Sequence, residues 1–305
     1  MDIFDRYSRR LPSDQGILQA VDAYRAIVGP YGAEQLSTLA RAARDKLLAR
    51  VLPTGAELAA LEQAIRLLRP APLVALDHTP PLAAAAAEEF PEWSELRAAS
   101  PALMPAVGRI DFADPAAGQV GTGFLVAPDL LLTNRHVVFY LTSGTGVLDP
   151  DDALVRFRYE WGVTSKERPV AVRRVVVVHP YLDLALLQLE AAAPRAPLRF
   201  AATPPAVGDA VVAIGFPARE DGNHFFVPAV FESRFGVKRA APGRLAEVTA
   251  TALQHDCSTL KGSSGSPLLG LTTHEVVGVH AEGVFSWRNT AVPGAAAAAF
   301  VEGHA

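Results

Sequence analysis

Between residues 13 and 68 the apolar positions recur every three or four residues. Ile17, Val21, Tyr24 and Val28 form one stripe; Leu36, Leu39, Ala43, Leu47 and Val51 form a second; Leu58, Leu61, Ile65 and Leu68 form a third. That spacing puts each set on one face of a helix. Gly29 and Pro30 stand between the first two stripes, and Thr54 followed by Glu57 has the form of a capping box. The pattern predicts three amphipathic helices in a small all-α bundle over residues 1–69. No cluster of reactive side chains falls on them, so the expected role is interaction or regulation, including a protein partner.

Residues 70–105 lose this rhythm. Pro70, Pro72, Pro80, Pro81 and Pro91 mark a linker, with a short alanine-rich helical turn between Leu82 and Glu89. His78 and the acidic Glu88, Glu89, Glu92 and Glu95 within it read as a solvated surface rather than a metal or partner site. After Ala106 the pattern changes again, to short β-branched runs bounded by Gly, Pro, Asp and Asn. Strands are expected at 123–126, 130–133, 171–178, 184–189, 210–214, 225–231, 245–251 and 276–280. Many short strands at even spacing predict an all-β sandwich or barrel over 106–305, closed by a C-terminal helix in GAAAAAFVEG.

Composition narrows the partners. The 305 residues allow about two domains. A net charge of -4 offers no electrostatic case for nucleic acid or an anionic membrane, which leaves proteins, peptides and small ligands. No uncharged run approaches the roughly 20 apolar residues of a membrane-spanning helix, and the opening MDIFDRYSRR is too charged for a secretory signal. Cys257, the single cysteine, excludes an internal disulfide and suits a reducing compartment. A soluble, cytoplasmic protein is expected.

Three stretches could carry chemistry: GTGFLVAPDLLLTNRHVV, HPYLDLALLQLE and STLKGSSGSPLL, which hold His136, Asp183 and Ser264. Alone, the serine loop could be a spacer or an anion-binding turn, the histidine structural, and the aspartate a strand cap. Taken together they offer a nucleophile, a base for its proton and a group to orient that base. Gly262 permits a tight turn whose N–H, with that of Ser264, could face a developing oxyanion; Gly265 lets the chain leave that turn. His179 competes with His136 as base, and the strand-end context of His136 favours the latter. No cofactor or metal is expected. Lys261 precedes Gly262 and no G-K-[ST] follows, Gly121 and Gly123 lead into no helix, and His255, Asp256 and Cys257 alternate along an extended segment.

The order His, Asp, Ser in a β-rich context resembles the trypsin-like, chymotrypsin-fold serine peptidases from about Ala106 onward. The loop S-T-x-x-G-x-S-G-S-P resembles in particular the bacterial glutamyl-endopeptidase-like branch. This implies a chymotrypsin-like double β-barrel, a triad of His136, Asp183 and Ser264, and an oxyanion hole at Gly262 and Ser264. It also implies a substrate pocket around Ser258, Thr259, His280, Ala281, Glu282 and Gly283, with Thr259 and His280 facing a substrate glutamate and Glu282 on the same strand face as His280. Val137 and Leu260 replace flanking cysteines of the digestive enzymes, Ser263 replaces the aspartate of zymogen-type members, and Ala281 replaces a serine that supports the catalytic aspartate. The expected function is an intracellular serine endopeptidase acting through an acyl-enzyme and cutting after Glu. The alternatives are a silent peptide-binding or scaffolding pseudoprotease, and an esterase or acyl-transfer enzyme with the same triad. The layout is similar to that of multidomain bacterial proteases associated with defence or cell death.

Overall fold

The computed structural model describes residues 3–8, 11–68, 78–80, 91–149, 152–162, 167–219, 227, 231–284 and 288–304. Its N-terminal part is helical: α1 (Ile3–Ser8), α2 (Asp14–Leu48) and α3 (Gly55–Leu68). Ser13 caps α2 by accepting the Gly16 N–H at 3.0 Å. The capping box at α3 forms as expected, with Thr54 N–H donating to Glu57 Oε2 at 2.7 Å and Glu57 N–H donating to Thr54 Oγ1 at 3.3 Å. The expected break at Gly29 and Pro30 does not occur, because α2 runs through Pro30 as one helix. Proline removes one helical hydrogen bond and costs about 3 kcal/mol. Against this, Ile17, Val21 and Tyr24 before it and Ala33, Leu36, Ala40, Ala43 and Leu47 after it are all buried, so one continuous helix keeps both sets packed.

The expected linker is also partly helical. Helix α4 (Trp93–Leu103) contains Pro101 and buries Trp93 and Leu96 in the same apolar cluster as the first barrel. The alanine-rich turn expected at 82–89 and most of the strand expected at 225–231 lie outside the described residues. His78 is not merely solvated: its Nδ1 meets the carboxylate of Glu160, which is itself buried.

Two closed six-stranded barrels follow. The first has the order β1-β2-β3-β6-β5-β4, from strands β1 (Val107–Phe112), β2 (Gln119–Ala127), β3 (Leu130–Thr133), β4 (Ala153–Arg156), β5 (Val170–Val178) and β6 (Ala185–Leu189). The second has the order β10-β11-β12-β9-β8-β7. Its strands are β7 (Ala210–Gly215), β8 (Arg239–Val248), β9 (Leu253–His255), β10 (Pro267–Gly270), β11 (Val276–Val284) and β12 (Arg288–Pro293). Short helix α5 (Arg135–Leu141) follows β3, and α6 (Gly294–Glu302) closes the chain as expected. All paired strands are antiparallel, and closure removes exposed sheet edges.

Strand alternation divides the second barrel between two cores. On β7, Val212 and Ile214 join the cluster of the first barrel, while Val211 and Ala213 join a cluster that also holds the buried residues of α2 and α3. The barrels are further tied by Lys238, fully buried just before β8. Its Nζ donates to the carbonyls of Met104 (2.7 Å) and Phe157 (2.6 Å), which flank the same end of the first barrel's antiparallel β1–β4 pair, and lies 3.7 Å from Glu160. Among the described residues no helix is long and apolar enough to cross a membrane.

Candidate active site

The first barrel builds a histidine–aspartate pair from neighbouring strands. Pairing of Thr133 with Ala185 sets the end of β3 beside the start of β6. The residues just beyond, His136 in the first turn of α5 and Asp183 in the β5–β6 turn, therefore meet. His136 Nδ1 lies 2.7 Å from Asp183 Oδ2, and His136 N–H donates to Asp183 Oδ1 at 3.0 Å. An ionised carboxylate only accepts, so Nδ1 carries the proton and neutral His136 presents Nε2 as a base. Asn134 Nδ2 donates to the Asp183 carbonyl (2.8 Å) and Arg135 to that of Pro180 (2.9 Å). Burial alone would raise the Asp183 pKa; the hydrogen bonds and charge of His136 outweigh it and hold the carboxyl below its ordinary value.

His179 is not a rival base. Its Nδ1 accepts the N–H groups of Tyr181 (3.1 Å) and Leu182 (2.8 Å), and its ring stands edge-on to Phe300, so it shapes the turn that presents Asp183.

The second barrel supplies Ser264 on the turn before β10, with Gly262 (φ +87) and Gly265 (φ +86) on either side in the left-handed region that glycine adopts without strain. Ala218 N–H holds the Lys261 carbonyl at 2.7 Å. No peptide bond in the described chain is cis, so the N–H of Gly262 points opposite to that carbonyl. Among the described residues, neither the Gly262 nor the Ser264 N–H has a protein acceptor. Both N–H groups are thus unspent. The Ser264 hydroxyl donates to the Ala281 carbonyl at 3.2 Å and makes no hydrogen bond with His136.

A cleft of about 790 Å³ joins these groups: His136, Asp183 and Ser264 share it with Thr259, His280, Ala281, Glu282 and Gly283. Ser258, expected in the pocket, is buried and does not line it. The expectation that His280 and Glu282 share a face also fails. The β11–β12 register shifts between them, a bulge at Ala281, leaving His280 buried and Glu282 exposed. Nor is His280 a cation in this site: burial first, then the neighbouring His255 and His136, push its pKa well below 6.5. His280 Nδ1 and His255 Nε2 are 3.1 Å apart. The Thr259 hydroxyl donates to Asn289 Oδ1 (3.0 Å), whose Nδ2 donates to the Cys257 carbonyl (2.6 Å). A Cβ on Gly283 would lie 2.1 Å from Asn289 Oδ1, so a side chain at this wall would displace the Asn289 amide.

Three site residues escaped the sequence reading. His255 and Asn289 are brought to the pocket by strand pairing, with Asn289 opposite His255. Thr122 of β2 reaches the serine turn from the other barrel: its Oγ1 donates to the Gly262 carbonyl (2.7 Å) and its N–H to the Ser264 carbonyl (2.8 Å). The one available signal was that Thr122 stands between Gly121 and Gly123, where small neighbours admit close approach.

Over 183 residues the chain is 31% identical to serine protease Rv3671c of Mycobacterium tuberculosis, covering 58% of this chain and 40% of that protein. Over 207 residues it is 31% identical to the probable serine protease FE772_23060 of Lysobacter enzymogenes, covering 55% of this chain and 54% of that one. The chain thus spans about half or less of the length of the curated relatives it matches. Among solved structures, the active form of the Rv3671c protease matches 67% of this chain and 82% of that chain at 24% identity with a TM-score of 0.48. A serine endoprotease from Yersinia pestis matches 66% of this chain and 63% of that one at 22% identity, also with a TM-score of 0.48. The family model described as trypsin-like peptidase domain matches residues 121–279, a span of over half the chain that contains His136, Asp183 and Ser264, and the chain belongs to that family.

Proposed function

We propose that this protein is a serine endopeptidase acting through an acyl-enzyme. Ser264 is the nucleophile, His136 the base and then the acid, and Asp183 the group that orients and steadies the imidazole. The observation that carries this reading is a single cleft that combines a doubly held His136–Asp183 pair with a Ser264 turn whose two donors are unspent. To react, the Ser264 hydroxyl turns from the Ala281 carbonyl to His136 Nε2, gives up its proton and bonds to the substrate carbonyl carbon. The N–H groups of Gly262 and Ser264 receive the oxyanion; His136 then protonates the leaving amine, and water repeats the sequence on the ester.

The residue before the cut bond is proposed to be Glu. Neutral His280 and the rotatable hydroxyl of Thr259 can each turn a donor toward a carboxylate, Lys261 at the rim adds positive charge, and Glu282 is exposed to solvent rather than buried beside His280. The helices at 1–69 are assigned to recruitment or control of a peptidase domain that begins with α4, and the buried, unbridged Cys257 suits a reducing compartment such as the cytoplasm.

The bond from Ser264 to Ala281 favours a second reading, a barrel that holds peptides without cutting them. A fluorophosphonate probe separates the two. Labelling of the wild type, and its loss in Ser264→Ala but not in Ser263→Ala, is the expected result; an unlabelled wild type supports the silent binder. A peptide library then reads the preference, and a profile led by Lys, Arg or large aromatics would overturn the choice of Glu.

A further inference from the structure

The turn that carries Ser264 is made by the second barrel but is held by the first. Thr122, fully buried on β2, contacts it twice. Its N–H donates to the Ser264 carbonyl at 2.8 Å, and its hydroxyl donates to the Gly262 carbonyl at 2.7 Å. The same hydroxyl oxygen accepts the Phe216 N–H at 3.2 Å. One hydroxyl has one proton, so the Phe216 contact uses a lone pair and the proton is committed to Gly262. The Thr122 carbonyl is held in turn by Thr133 Oγ1 at 2.7 Å, and a Cβ on Gly265 would lie only 2.0 Å from it, which shows how tightly the two barrels meet here.

This matters because glycine at 262 leaves its two flanking peptides free to rotate. A flip of the Lys261–Gly262 peptide would turn the Gly262 N–H out of the cleft and bring a carbonyl in. Two clamps oppose that flip. Ala218 N–H holds the Lys261 carbonyl on one side of Gly262, and Thr122 Oγ1 holds the Gly262 carbonyl on the other. Through Phe216, the Thr122 hydroxyl also anchors the segment that supplies the first clamp. It is the side chain common to both.

We propose that Thr122 is a positioning residue for the oxyanion turn, its buried hydroxyl holding the Gly262 and Ser264 N–H groups on the side where negative charge develops. The proposal rests on the assignment of Ser264 as nucleophile. Thr122 touches no reacting atom and acts through Gly262.

The test is the rate at which a fluorophosphonate modifies Ser264 in the full chain. In that reaction the Ser264 Oγ–P bond forms, the P–F bond breaks, fluoride leaves, the serine proton passes to His136, and the phosphoryl oxygen occupies the oxyanion position. Loss of one oxyanion donor costs about 10²- to 10³-fold in rate, and a misaligned turn should approach the lower figure. Thr122→Val is expected to lower the limiting inactivation rate about 10²-fold. The half-saturating probe concentration should change little, and the pH profile should keep its shape. Thr122→Ser, which restores the hydroxyl, should recover most of the rate. If Thr122→Val does not fold, Thr122→Cys against Thr122→Ser makes the same comparison with a weak S–H donor. A wild-type rate in Thr122→Val or Thr122→Cys, or an equal loss in Thr122→Ser, overturns the positioning role while leaving Ser264 as nucleophile. A wild type that is not labelled at Ser264 removes that assignment and this one with it.

Discussion

The two barrels share a six-strand antiparallel build, yet they hold the proposed catalytic groups in different ways. In the first, His136 and Asp183 are already joined by two hydrogen bonds, because both follow from one strand pair, β3 with β6. In the second, Ser264 stands on a turn whose backbone is held by Thr122, Ala218 and His280, while its hydroxyl rests on Ala281 rather than on His136. A pair formed within one barrel can be rigid in the resting protein. A group that must meet its partner across an interface depends on how the barrels dock, and its last step is left to a side-chain rotation.

The most severe way to break the first barrel's contribution is Asp183→Asn. The amide cannot hold the imidazole in the required tautomer, and turnover of a peptide substrate should fall about 10⁴-fold with the fold intact. A loss of less than tenfold would mean that the pair is structural.

Lys238→Met attacks the joint between the barrels. Below about pH 7, where Lys238 is charged, its loss leaves two carbonyls and the buried Glu160 without their cation, and removal of one partner from a buried charged cluster costs about 3–5 kcal/mol. Urea denaturation should show that loss. Burial, only partly offset by Glu160, lowers the Lys238 pKa to about 7 from 10.5. Between those values the unfolded chain holds the proton and the folded one does not, so this residue makes stability rise with pH across that window and lose nothing further below it. Lys238→Met should abolish that rise.

His280→Gln tests the second barrel's pocket. A hydrogen bond to a charged group is worth about 1.5–3 kcal/mol, so selectivity for Glu over Gln before the cut bond should fall roughly 10- to 100-fold. Turnover of a substrate with a small residue there should change little. Equal loss on both substrates would mark His280 as a packing residue instead.

The smallest effect is the acid sensitivity of the His136–Asp183 pair. Because the Asp183 pKa is lowered in the folded protein, its contribution to stability is complete above the ordinary value of 3.8 and is lost as pH falls through the folded value. Asp183→Asn should flatten stability in that acid range. An unchanged profile would show that the carboxylate is not held by His136 in solution.

Much of this was legible along the chain. The apolar stripes and the Thr54–Glu57 box predicted helices that form, and the aliphatic runs at 130–133, 171–178 and 184–189 lie in β3, β5 and β6 or within a residue of them. Five strands stayed hidden, β1, β4, β9, β10 and β12, most of them short or of a composition that works against them. β9 has three residues, β4 has four, and β12 combines Arg, Asn and Pro, so none carries a readable alternation. β8 was expected to start at 245, yet it begins at Arg239, because Pro242 and Gly243 read as breakers while pairing with β7 accommodates both. Pro30 misled in the same way, since a proline costs a helix less than the burial of its apolar face returns.

The sequence by itself determined the helical start and the β-rich remainder, and it determined His136, Asp183 and Ser264 as candidates, because periodicity and turn chemistry act over a few residues and are written in order. Tertiary structure alone decided that Thr122 clamps Gly262, that His255 backs His280, that a bulge parts His280 from Glu282, and that Lys238 joins the barrels. Each of these contacts spans strands distant in the chain or depends on a one-residue shift in register. Closed barrels bring such positions together through pairing and docking, which no local pattern records.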